Sequence, residues 1–215
     1  MIRFEVLIEM NQWEMAAALA EDALHNKLSK IASSGGAIDP LVPLHAILFR
    51  AGKISRPKYE ATRAEWLAAH PATTPVEQQI RWLAAYGVPT YSKELAADAV
   101  SAAQNVQMPT DLYKSPLGMI WSVLYGKALM LVGKPREALP YLERVNHACL
   151  ETIMVLWFVQ SRALLGMAHE TLGNEALACE SFAKVLDRWG KAKQSVTAKA
   201  VTEHAQKLRC SPTSK

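Results

Sequence analysis

The sequence predicts an all-α fold, arranged as a right-handed α-solenoid of about five helical hairpins with a C-terminal capping helix. Three observations carry that expectation. Apolar residues recur at helical spacing throughout, and no stretch alternates apolar with polar as a strand would. Breaks near 11, 52, 87, 133 and 173 divide the chain into pairs of helical segments. The last two of those pairs share one pattern, position for position.

The chain opens with an apolar helix over residues 2–10, then a turn at Asn11. Ala16, Ala20 and Leu24 mark the inner face of the helix that follows. With no preceding unit to cover the first helix, either Ile2, Phe4 and Leu7 fold inward or the chain continues something longer; the second is favoured, because terminal solenoid units need a polar outer surface. Residues 31–40 (I-A-S-S-G-G-A-I-D-P) read as a loop. A short apolar helix follows over 40–51 and stops at Gly52. The next starts near Pro57 and runs to His70, with Tyr59, Ala64 and Leu67 as inward candidates. Segments 76–87 and 92–104 form another pair around Pro89, and N-V-Q-M-P-T-D-L-Y-K-S-P is a loop.

Residues 119–146 read M-I-W-S-V-L-Y-G-K-A-L-M-L-V-G-K-P-R-E-A-L-P-Y-L-E-R-V-N, and 159–187 read V-Q-S-R-A-L-L-G-M-A-H-E-T-L-G-N-E-A-L-A-C-E-S-F-A-K-V-L-D. Measured from the turn glycines Gly133 and Gly173, the offsets coincide. Gly126 and Gly166 lie seven back, Ala138 and Ala178 five forward, Leu142 and Phe182 nine forward, Val145 and Val185 twelve forward. Small residues at the crossing and a glycine free to take a left-handed turn are what a close helical hairpin needs.

That register resembles the tetratricopeptide repeat, a helix–turn–helix unit of about 34 residues. Leu165-Gly166 and Tyr125-Gly126 hold the first small-residue crossing, Ala178 and Ala138 the second. Two departures stand out: His169 and Leu129 occupy the position of the usual aromatic, and the terminal proline is missing from both copies. The resemblance implies an array over 1–190, clearest at 117–146 and 157–187, which binds partners along a concave surface. Residues 191–215 then form a basic capping helix and tail, starting at Ser195 or Thr197, with Val201, Ala205 and Leu208 on one face. The run K-V-L-D-R-W-G-K-A-K-Q-S-V-T-A resembles the ends of tetratricopeptide-like regions that follow bacterial serine/threonine kinase or transcriptional regulator modules. It implies a regulatory arm of a larger signalling polypeptide.

The 215 residues, half of them hydrophobic, suffice for a real core. The net charge of +4 is concentrated: from Lys184 to Lys215 there are eight Lys/Arg against two acids. Cys149, Cys179 and Cys210 are odd in number and show no C-x-x-C, which argues against a disulfide framework or zinc and for reduced thiols in a cytoplasmic protein. Cys179 reads as a small core filler beside Ala178. Neither a secretory signal nor a membrane span is expected, since the N-terminal apolar run contains acids and the most hydrophobic stretch, Leu117–Val132, contains Lys127.

No motif for metal, nucleotide or covalent catalysis is present, and no cofactor, metal or enzyme activity is expected. The six histidines are scattered; His169 reads as a packing residue. Glu60/Glu65 and Glu170/Glu175 lie five apart and diverge on a helix, so they read as solvated faces. The six tryptophans fall mostly one per helix, as core packing would place them.

Function is expected in the groove, as a non-catalytic protein–protein interaction or regulatory module. In this repeat the first helix of each pair lines the inner face. The residues implied are Ile120, Val123, Lys127 and Met130 in one copy, with Gln160, Ala163, Met167 and Glu170 in the next. An apolar strip with two methionines suits a hydrophobic helix or extended peptide, unless neighbouring helices or the C-terminal helix fill it. The alternative is a nucleic-acid-associated regulator domain using Lys191, Lys193 and Lys199. Those cations alternate with Ala, Val and Thr, with no aromatic beyond Trp189 to stack a base, so a solvated face is favoured. Neither the partner nor the oligomeric state is legible.

Overall fold

The computed structural model describes residues 2–26, 39–106, 115–146 and 155–210. Expectations for the Ile2 side chain, for most of the 31–40 and 105–116 loops, and for His147 and Cys149 lie outside the described residues. Among the described residues every regular element is helical, and none is long and apolar enough to cross a membrane. The chain divides into two compact units, one of residues 1–8 and 12–115, the other of 9–11 and 116–215.

The first unit takes α1 (Ile2–Glu9) as far as Ile8 and α2 (Trp13–His25); between these helices Asn11, counted with Glu9 in the second unit, has a φ of +56°, a left-handed turn that asparagine tolerates. α2 is rich in alanine, and Ala16, Ala17, Ala20 and Ala23 let it approach α3 (Leu41–Arg50) closely. Phe4 is buried in that cluster with Leu44, Ile47 and Leu48, and Leu7 packs against it. α4 (Arg56–Ala69) buries Tyr59, Thr62 and Trp66, one stripe at i, i+3 and i+7. The expected inward Ala64 is instead exposed, because the face is set by the two aromatics. Arg63 of the same helix bonds Asp98 at 2.9 Å and lies over the rings of Tyr59 and Tyr86.

α5 (Pro75–Trp82) begins with a capping box. Thr74 accepts from Glu77 N–H at 3.2 Å, and Glu77 Oε2 accepts from Thr74 N–H at 2.9 Å. These bonds and those from Thr73 hold the Glu77 carboxyl down to about 2. The segment 76–87 does not stay α-helical: Leu83–Gly87 forms a π-helical turn. Gly87 lies under the Trp82 ring, where a Cβ would come within 2.5 Å of ring carbon, and Trp82 donates its indole N–H to Ala99 O at 2.9 Å. α6 (Lys93–Ala103), capped by the Ser92 side chain, completes the unit. Its Leu95 is buried with Val42, Ala46, Tyr59, Trp66, Ala84 and Ala85.

The second unit contains α7 (Pro116–Leu131), α8 (Pro135–Asn146), α9 (Val155–Thr171), α10 (Glu175–Trp189) and α11 (Val196–Lys207). α7 packs on α8, α9 on α10, and α8 on α9. The turns after α7 and α9 are closed by the same bonds. Gly133 (φ +80°) and Gly173 (φ +79°) are left-handed, while Lys134 N–H donates to Leu129 O at 2.9 Å and Asn174 N–H to His169 O at 2.8 Å. The crossings match too. A Cβ on Gly126 would meet Leu142 at 2.8 Å, and one on Gly166 would meet Phe182 at 2.4 Å. Ala138 and Ala178 are fully buried.

The cysteines depart from expectation. Cys179 on α10 and Cys210 just beyond α11 form a disulfide, with Cα atoms 5.4 Å apart. An odd count without C-x-x-C says nothing about residues thirty-one apart that the fold brings together. Cys179 is therefore half-buried and bonded, not a free core filler.

Candidate functional site: the face shared by α9, α10 and α11

α11 starts at Ser195, whose hydroxyl accepts from Ala198 N–H at 2.9 Å. The Thr197 amide of its first turn draws in a carboxylate. Glu9 Oε1 accepts from Thr197 N–H at 2.9 Å and from the Ser195 hydroxyl at 2.6 Å, and its Oε2 accepts from Thr197 Oγ1 at 2.9 Å. A negative charge here faces the positive end of the helix dipole. Gln160 on α9 donates its Nε2 to the same Oε2 at 2.9 Å. Glu9 is 5 % exposed, so these bonds are made out of water.

The other end of α11 meets α9 through Glu170. Lys207 Nζ donates to Glu170 Oε1 at 2.9 Å, and His204 Nδ1 pairs with Oε2. Burial alone would raise the Glu170 carboxyl, but the bonds from Lys207 and His204 outweigh it and hold it below the usual carboxylate range. Glu170 is thus an anchor for the C-terminal helix and not the solvated residue its spacing from Glu175 suggested. Between the two ends, Val201 is fully buried against Val159, Ala163, Ala178, Phe182 and Val185. Met167, Ala205, Leu208 and Cys210 pack on the rim of that cluster.

The eight groove residues therefore divide. On α9, Gln160 bonds Glu9, Ala163 is 3 % exposed, Met167 packs beside α11 residues and Glu170 holds them. On α7, Val123 is also 3 % exposed, buried with Val145 and Phe158. Ile120, Lys127 and Met130 remain half-buried on α7. Lys191, Lys193 and Lys199 are all exposed, around and within the start of α11. His169 is buried in α9 with no hydrogen-bond partner at Nδ1. Among the described residues no group of His, Cys, Asp and Glu is placed to hold a metal ion.

Glu9, His204, Lys207 and the Cys179–Cys210 pair escaped the sequence reading. His204 and Lys207, three apart on a helix, signal a shared face, but nothing local to Glu9 announces that it caps a helix far along the chain. No protein-family profile, curated protein or solved structure matches this chain.

Proposed function

We propose that the chain is a non-catalytic, tetratricopeptide-like interaction module, a right-handed array of about five helical hairpins that binds a protein or peptide partner. The observation that carries the reading is register. Gly126 lies under Leu142 and Gly166 under Phe182 at equal distances from two identically bonded turns, so one hairpin follows the next with the same crossing. On this reading the α7 part of the partner surface is the half-buried strip of Ile120, Lys127 and Met130. Its Gln160, Ala163, Met167 and Glu170 part joins only where α11 moves away. The resemblance of the 184–198 run supports a regulatory arm of a larger bacterial signalling protein.

A cytoplasmic setting belongs to this reading, but reduced thiols no longer support it, because disulfides are rare in that compartment at rest. The exposure of Lys191, Lys193 and Lys199 keeps a nucleic-acid-associated regulator as the second reading.

The experiment is affinity capture with the 215-residue chain at low and high salt, in parallel with Met130→Glu and with Lys191, Lys193 and Lys199 neutralised. A salt-resistant protein lost with Met130→Glu supports the α7 strip. Salt-labile nucleic acid lost with the lysine variant moves the assignment to the basic segment. Capture unaffected by either variant overturns both.

A further inference from the structure

The Cys179–Cys210 bridge joins two helices of unequal burial. α10 is rooted by Ala178, Phe182 and Val185, all essentially inaccessible. α11 fully buries little besides Ala198 and Val201. A helix of 12 residues is marginal in water by itself, so α11 depends on what holds it.

Its attachments are separated. The N-terminal turn is held by Ser195 and Glu9 through bonds made out of water. The C-terminal turn is held by the Glu170 pairs, by the bridge, and by Ala205 and Leu208 on the rim of the Val159–Phe182–Val201 cluster. Of those pairs, that of Lys207, whose side chain is 73 % exposed, is screened and weak, while that of His204, at 35 %, is the more sheltered. The bridge is stronger and sits at a sensitive point. Arg209 (φ +53°) ends the helix in a left-handed turn, and Cys210 N–H closes that turn on Ala205 O at 2.9 Å. Both cysteines are half-buried, so neither residue is sealed inside the core.

We propose that Cys179–Cys210 is a dithiol-sensitive latch: reduction frees the C-terminal half of α11 and uncovers the Ala163–Met167 face, while α7–α10 stay folded. A thiolate of the reductant attacks one Sγ, breaking the S–S bond and forming a mixed disulfide. The reductant's second thiolate displaces the protein sulfur, so two electrons and two protons pass to Cys179 and Cys210 as the dithiol closes to its own disulfide. The unequal grip on the two ends of α11 makes the opening directional, from Leu208 back toward Ser195. This inference goes beyond the partner-binding reading and stands without it.

The test is peptide mapping of the 215-residue chain, followed by amide hydrogen exchange before and after dithiothreitol, with Cys210→Ser as a second route to the open state. Expected are a linked Cys179–Cys210 peptide and exchange in 201–208 faster on the order of tenfold or more on reduction. The 196–199 turn should change less, α7–α10 should not change, and Cys210→Ser should reproduce the pattern without reductant. Three outcomes overturn the proposal: thiols that stay free after glutathione disulfide, or pair with Cys149 instead; unchanged exchange in 201–208; or lost protection throughout α7–α10, which would make the bridge a staple of the whole unit.

Discussion

Glu9 caps a helix that begins 187 residues later in the chain: its Oε1 accepts the Thr197 amide at 2.9 Å, at the positive end of α11. Four donors converge on this one buried carboxylate, from Ser195, Thr197 and Gln160. Glu9→Gln removes the charge and turns an amide group toward donors. We expect a loss of about 1–3 kcal/mol of stability, read from urea unfolding. A midpoint equal to that of the parent chain would rule this contact out as an anchor.

Gly166→Ala should destabilise more than Gly126→Ala. Both new methyls would press on fully buried side chains, but the one at Gly166 comes closer to the Phe182 ring than the one at Gly126 comes to Leu142, at 2.8 Å. Overpacking of this kind costs about 1–3 kcal/mol, offset in part by the better helix propensity of alanine. Thermal unfolding of the two variants side by side decides it. The reverse order would mean that the crossings are not packed as described.

Met167→Glu should lower stability, since Met167 packs on the Val159–Phe182–Val201 cluster beside α11. Met130→Glu, on the half-buried strip of α7, should leave the fold intact. Circular dichroism melts separate the two. Equal melting would return Met167 to the set of open groove residues.

Alkali should weaken the first unit. Burial pushes the Tyr59 hydroxyl up to about 12, against a smaller opposing pull from Arg63, and burial together with Glu5 raises Tyr91 well above its ordinary value. A phenol that stays neutral in the fold but ionises near 10 when unfolded contributes stability present below that pH and lost as pH rises toward 12. Tyr59 accounts for about 2–3 kcal/mol of that loss. Denaturant midpoints between pH 8 and 12 should fall, and less steeply in Tyr59→Phe. Parallel slopes would remove Tyr59 as the cause.

Much of this architecture was legible. The helical period, the left-handed turn glycines at 52, 133 and 173, and the shared offsets of Gly126/Leu142 and Gly166/Phe182 are all local signals, and the helices follow them. What escaped was long-range. Nothing near Glu9 encodes Thr197, and nothing near Cys179 encodes Cys210, because such pairs are set by how helices stack. Whether the chain's own helices fill the α9 half of the groove was left open by the sequence for the same reason. Register places Ala163 and Met167 on an inner face, but α11, which lies against that face, comes after both repeats. At Leu83–Gly87 the π turn coincides with the Trp82 indole packed over Gly87, a contact that periodicity does not record.

The disulfide also changes what a cut in the chain does. Lys191 and Lys193 are exposed between Cys179 and Cys210, within easy reach of trypsin. A nick there severs the backbone between α10 and α11 but not the molecule. The two pieces travel as one on a gel until a thiol is added, so a protease can open this connection and leave the C-terminal segment tethered, its hold on the rest passed from peptide bond to sulfur.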